Sequence, residues 1–350
     1  MKMSIRLAIA SDDSDYLQRL SYKLQDFEEL QLSLFEDTEK LKEALTSKRF
    51  DILLFTPSIY PGECVGEKVS IKLMLYDEDD DVTERQEGIR RVRRYQRISY
   101  IYNELLEAYS VLGKPISGGL GKSVTKLISF YSPVGGSGKT TLALAAATRI
   151  AREGRSVFYV NLEDMPSDEF YLPNAYERGM TDLIHGLGNN MNAEAKLRGL
   201  MQCKNERLYY TKHFDSPNDL KELSAEETSQ LLNSITSSAL FDYVIVDMST
   251  RYDDKTSKIF EISDEIVVVE RGDEISEAKM ASFYSQLFIT SEYGHKMKRV
   301  VNFNTGKTLN IATDVEKIGE VYMTQVADPG AFIDQLAGNQ QMAFVSRLMQ

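Results

Sequence analysis

Short runs of consecutive apolar residues alternate along this chain with longer stretches in which apolar positions return every three or four residues. The runs IRLAIA, LQLSLFE, DILLF and SIKLMLY predict strands of a sheet covered on both faces. SDYLQRLSYKLQDF, DTEKLKEALTSKR and IYNELLEAYSVL carry the helical period between and after them. The βαβα alternation predicts a parallel sheet packed between helices over residues 1–112. GKPISGGLGKSVTK follows, rich in Gly, Ser and Lys, and predicts a linker over 113–126.

The alternation resumes at Leu127 and predicts a larger second domain over 127–350. Its strands are KLISFY, SVFYVNL, YVIVDM, EIVVVE, RVVNF and EVYMT. TTLALAAATRIARE, SAEETSQLLNSITSSA and EISEAKMASFYSQLFITSE predict helices between them. The expected fold class is α/β, with two doubly wound parallel-sheet domains in series.

Composition narrows the picture modestly. The chain has 350 residues, 42% hydrophobic and 27% charged, which suits two soluble domains. It has no apolar run of membrane-spanning length, and the opening MKMSIRLAIASDD turns acidic too early for a secretory signal. The net charge of -12 opposes non-specific binding to DNA or anionic lipid. The acidic run at 77–81 and the basic run RRVRRYQR at 90–97 read as solvated loop and helix faces. Cys64 and Cys203 lack metal or disulfide spacing and read as free thiols in a reducing cytoplasm. His185, His213 and His295 have no neighbouring ligand set and read as structural.

The chemistry sits in PVGGSGKTT, between the strand KLISFY and an alanine-rich helix. Glycines let backbone N–H groups approach a phosphate, and the helix N-terminus adds a favourable dipole. In that loop, spanning Val134, Gly135, Gly136, Ser137 and Gly138, Lys139 is expected to neutralise β- and γ-phosphates. The Thr140 hydroxyl is expected on Mg²⁺, and Thr141 near the α-phosphate. Asp247 ends the strand YVIVDM as the expected metal-side acid. Glu163, after SVFYVNL, either orients an attacking water or caps the next helix. Asn302, late in the sheet, is expected to pair with an adenine edge.

These motifs, in this order, resemble the MinD/ParA branch of P-loop ATPases. That branch carries a signature lysine where this chain has Val134, and a glycine where it has Pro133. The resemblance implies Mg-ATP binding and a nucleotide-sandwich homodimer. It assigns Lys139, Glu163 and Asp247 to the catalytic set and Thr140 and Asp247 to the metal. Loss of the signature lysine implies slow hydrolysis.

The first domain resembles a response-regulator receiver by strand–helix order. Asp12 and Asp13 follow its first strand, and Thr56 stands where that family has its phosphorylated aspartate. The lysine expected before the last helix is missing, with Gln96 and Arg97 near its place. Thr56 has no carboxylate and forms no acyl phosphate, so the unit reads as a pseudo-receiver used for protein contact. The pairing of the two domains resembles the TadZ/CpaE family, which localises Flp (Tad) pilus machinery at a cell pole. It implies a cytoplasmic ATP-binding scaffold near the inner membrane, with pilus secretion proteins as partners, no nucleic acid and at most peripheral membrane contact. The alternative is a MinD-like or ParA-like positioning or partition ATPase acting on membrane or DNA.

Overall fold

The computed structural model describes residues 4–60, 62–77, 88–112, 124–172, 178–187, 192–205, 207–304, 311–322 and 331–350. Most of the expected linker, residues 113–123, and the acidic residues 78–81 lie outside this set. The chain forms two compact units, residues 1–119 with 185–200, and residues 120–184 with 201–350.

In the first unit the strands are β1 (Ile5–Ala10), β2 (Leu30–Phe35), β3 (Phe50–Phe55), β4 (Val69–Tyr76) and β5 (Ile89–Arg93). They pair in the order β2-β1-β3-β4-β5, every pair parallel, which is the flavodoxin-like order. The helices α1 (Ser14–Leu24) and α2 (Thr38–Ser47) begin at Asp13 and Asp37, whose carboxylates accept from the N–H groups of Tyr16 and Lys40. Alternation along each strand sends residues to opposite faces. Ile5, Leu7 and Ile9 pack with α1 and with α3 (Ile98–Ser110), while Ala8 and Ala10 pack with Leu41 and Leu45 of α2. The basic run departs from the expected loop and helix face: residues 89–93 are the edge strand β5. Val92 is its buried member, and Arg90 pairs with Glu104 and Glu107 of α3.

The helix Ala193–Leu200 also belongs to this unit, although the sequence pattern placed it in the second domain. Ala195 enters the apolar core against α3, and Lys196 Nζ donates to Glu107 Oε1 at 2.7 Å. A Cβ on Gly199 would lie 3.0 Å from α3 backbone atoms of Asn103 and Glu107, tighter than side chains ordinarily pack, so glycine eases this close approach. Burial alone would raise the Glu107 pKa, but Arg90 and Lys196 outweigh it and hold the carboxyl at about 2.

The second unit carries β6 (Lys126–Tyr131), β7 (Val157–Leu162), β8 (Gln202–Lys204), β9 (Leu208–Tyr210), β10 (Tyr243–Met248), β11 (Glu265–Arg271), β12 (Met297–Asn304) and β13 (Glu316–Tyr322). Their order is β13-β12-β11-β6-β10-β7-β9-β8, parallel except for the β8–β9 edge pair. The helix α4 (Lys139–Arg152) lies on this sheet through the run Leu142–Ala147, every residue of it fully buried. Alanines let the helix approach the strands closely and favour helix at no cost in side-chain entropy. The predicted helix from Glu274 is broken in two, Glu274–Tyr284 and Leu287–Tyr293, because Gln286 is extended (ψ 95°). The apolar residues of the C-terminal segment, Met342, Phe344, Val345 and Leu348, are buried in the core shared with α4. Among the described residues no helix is long and apolar enough to cross a membrane.

Candidate functional site

β6, β10 and β7 lie side by side, and their parallel register aligns their C-terminal ends. Asp247 therefore stands opposite Phe130 on one side and Asn161 on the other. Residues 132–138 leave β6 and turn into α4. Ser132 Oγ accepts from the Val134 N–H at 3.1 Å, which fixes the first bend. Gly136 and Gly138 both have positive φ, 68° and 79°. At Gly138 the requirement is also steric, since an added Cβ would lie 2.2 Å from Asn302 Nδ2. The loop thus brings its backbone to the start of α4, where the first N–H groups of a helix have no intrahelical acceptor.

Lys139 is the first residue of α4 and is only 4% exposed. Its ammonium donates to Asp247 Oδ1 at 2.8 Å and to Glu163 Oε1. Tyr159, inside β7, donates to the other Asp247 oxygen at 3.0 Å. Burial works against the lysine charge, but Asp247 and Glu163 outweigh it and hold its pKa above the ordinary value. The Glu163 carboxyl is pushed upward by burial, and its backbone N–H donates to Asn161 Oδ1 at 2.8 Å. The two carboxylates thus supply the acceptor oxygens for the Lys139 ammonium.

The residues present fit the implied groups. A cradle that a Cβ would fill, a buried ammonium held, among the described residues, by acid oxygens, and a helix N-terminus without a side-chain cap suit a phosphate chain. Thr140 at that N-terminus and Asp247 provide the hard oxygen donors that Mg²⁺ takes.

The far side of the loop is built by β11 and β12. Asn302 is 4% exposed, and its Nδ2 donates to the Ser137 carbonyl at 2.8 Å. Its amide thus closes against the phosphate loop itself. Arg271 Nη1 donates to the Gly136 carbonyl at 3.0 Å. Val134, where the resemblance has its signature lysine, is 5% exposed, with its N–H spent on Ser132.

The sequence reading missed four residues that the fold brings here. Tyr159 reads there only as part of the strand SVFYVNL, and Ser132 and Arg271 are not singled out. The fourth is Asp168, 8% exposed, in a short turn after β7. Burial first, and then the neighbouring Asp247 charge, raise its pKa to about 6, with Asn161 partly opposing. An acid whose folded pKa exceeds its unfolded value of about 4 penalises the fold once pH rises past that unfolded value. The penalty grows from about pH 4 and is complete above about pH 6. Asp168→Asn is therefore expected to stabilise the protein at pH 7 by up to about 3 kcal/mol and to leave it unchanged near pH 3. Urea midpoints at the two pH values measure this, and equal changes at both would remove the titration as the cause.

In the first unit, the site that the receiver resemblance implies is closed on itself. Thr56 is 3% exposed, and its hydroxyl donates to Asp12 Oδ1 at 3.3 Å. Arg94, immediately after β5, is ion-paired with Asp13 and lies over the Tyr16 ring at 4.4 Å.

No family model matches the sequence. No curated protein matches it either. Solved structures do match by fold. A ParA family ATPase from Chlorobium tepidum superposes with a TM-score of 0.52 at 18% identity, covering 65% of this chain and 99% of that one. The septum site-determining protein MinD with Mg-ADP from Pyrococcus horikoshii gives 0.50 at 15%, covering 65% and 96%. A chain of the MinC:MinD cell division protein complex from Aquifex aeolicus gives 0.50 at 17%, covering 64% and 96%. About two-thirds of the chain thus has the MinD/ParA P-loop ATPase fold, and a further parallel α/β unit is added to it.

Proposed function

We propose that this protein is a nucleotide-operated scaffold: it binds Mg-ATP in the 134–141 loop, pairs with a second copy when loaded, and hydrolyses slowly. The observation that carries the reading is Lys139, buried at the mouth of a glycine cradle and, among the described residues, satisfied by Glu163 and Asp247 alone. A solved relative by fold holds Mg-ADP, which supports the same ligand class here. Lys139 would meet the β- and γ-phosphates, Thr140 and Asp247 the metal, and Glu163, once released, the attacking water.

The biological process we infer is assembly of a Flp (Tad) pilus, with the protein in the cytoplasm at a pole and partners met through the first unit. This rests on the pairing of a receiver-like unit lacking an acceptor aspartate with an ATPase unit lacking the signature lysine. DNA partition is the weaker reading because the net charge is -12. Membrane anchoring by the C-terminal segment is weaker because its apolar residues are buried in the core. Deleting the gene is expected to abolish surface pili, and a Lys139→Ala copy is expected not to restore them. Normal piliation in the deletion strain would end the pilus assignment and leave the nucleotide site untouched.

A further inference from the structure

The signature-lysine position is occupied by a buried valine, yet a cation does stand against this loop. Arg271 is the last residue of β11, and its side chain is 43% exposed. Nη1 donates to the Gly136 carbonyl at 3.0 Å, and Nε pairs with Asp273 at 2.9 Å. Nη2 has no partner among the described residues. The guanidinium carbon lies 5.4 Å from the centroid of the Phe303 ring, within cation–π range. Phe303 is itself unusual, a non-glycine residue at φ 49°. Aromatic residues rarely adopt that conformation, which is strained. Here it keeps the ring beside both Gly138 and Arg271: an added Cβ on Gly138 would lie 3.2 Å from that ring.

Arg271 is thus held on three sides, by a loop carbonyl, a carboxylate and an aromatic face. A surface arginine held only for solubility loses rotamer entropy to no purpose in such an arrangement. A guanidinium with a donor edge left over is suited to bidentate contact with phosphate oxygens.

We propose that Arg271 is a phosphate-binding residue supplied in cis, placing a positive charge on the base side of the loop that Val134 does not carry. The inference rests on the nucleotide reading above and deepens it. β11 lies on the opposite side of β6 from β10 and β7, which carry Asp247 and lead to Glu163. Arg271 accordingly acts on the phosphates nearest the ribose and contributes to affinity rather than to turnover. Nucleoside diphosphates and triphosphates both gain from it.

The test compares Arg271→Gln, which keeps a donor for Gly136 without the charge, with Arg271→Lys, which keeps the charge. Affinities for Mg-ADP and Mg-ATP are measured on the full chain at low and high salt. Arg271→Gln is expected to weaken both nucleotides about tenfold and to flatten the salt dependence, while Arg271→Lys stays within about threefold. Single-turnover phosphate release from the saturated variants is measured alongside. Nucleotide-free melting of both variants is followed in parallel to separate loss of folding from loss of contact. If Arg271→Gln binds as the native chain does, Arg271 only braces the loop and the proposal is overturned. Equal weakening by Gln and Lys, or a change in turnover alone, overturns it as well. If the native chain binds neither nucleotide, the nucleotide reading fails before Arg271 is reached.

Discussion

Lys139→Ala is expected to abolish the rise in melting temperature that Mg-ATP gives the native protein, and to lower the melting temperature of the nucleotide-free protein as well. At a nucleotide concentration of a hundred dissociation constants, binding stabilises the native chain by about 2.7 kcal/mol. The variant keeps the glycine loop and Thr140 but loses the one cation buried at the phosphate position. The second effect follows from the same geometry. Asp247 has no solvent exposure and shares Lys139 with Glu163. Removing the ammonium leaves a buried carboxylate held, among the described residues, by Tyr159 alone, and breaking such a pair costs about 3–5 kcal/mol. For a unit of this size that is on the order of 10 °C. Calorimetry with and without Mg-ATP reads both effects. An ATP-induced shift of native size in Lys139→Ala would sink the assignment of the loop. Where the variant folds poorly, direct binding of Mg-ATP to Lys139→Ala below its melting transition reads the first effect, and that binding is expected to be lost.

The second large effect is kinetic. Saturating Mg-ATP is expected to convert the protein to dimers at micromolar concentration, while phosphate is released at only about 10⁻⁴–10⁻³ per second, the range of a P-loop site without a cationic finger. Val134 is buried and its N–H is committed to Ser132, so this position offers a partner subunit neither charge nor donor. Supplying such a contact is worth about three or more orders of magnitude in rate. Light scattering with and without nucleotide, beside a phosphate-release assay, measures both halves. Turnover of many cycles per second that vanishes in Lys139→Ala would refute the slow cycle. A monomer in saturating Mg-ATP would refute the nucleotide-driven pairing.

Much of this architecture is legible in the sequence, because buried parallel strands write themselves as unbroken apolar runs. β1, β6, β10 and the phosphate loop fall where the pattern puts them. β5 escapes the pattern because it is an edge strand with Val92 as its only buried residue: Arg90 answers acids on α3, while Arg91 and Arg93 are exposed. β8 and β9 are three residues each, too short to establish a period. At the site, glycines and Lys139 announce themselves by spacing. Tyr159, Asp168 and Arg271 do not, since the contacts that bring them to the site, Asp247 for the first two and Gly136 for the third, lie far away in the sequence. Tyr159 looks like any β-forming aromatic until Asp247 is set beside it by the β7–β10 register. The allegiance of the helix Ala193–Leu200 is likewise invisible, because amphipathicity says that a helix will be covered but not by which core.

That helix changes what it means to take this protein apart. The chain passes from one unit to the other three times, near residues 119, 184 and 200, so the units are interleaved in sequence. A single proteolytic nick cannot separate them, and a fragment stopped at residue 112 lacks Lys196, the partner of Glu107, together with the cover that Ala195 gives α3. A faithful excision of the first unit needs the helix restored on an engineered linker. Its exchange between proteins by simple end-to-end recombination would leave both halves incomplete, which ties the inheritance of one unit to the other.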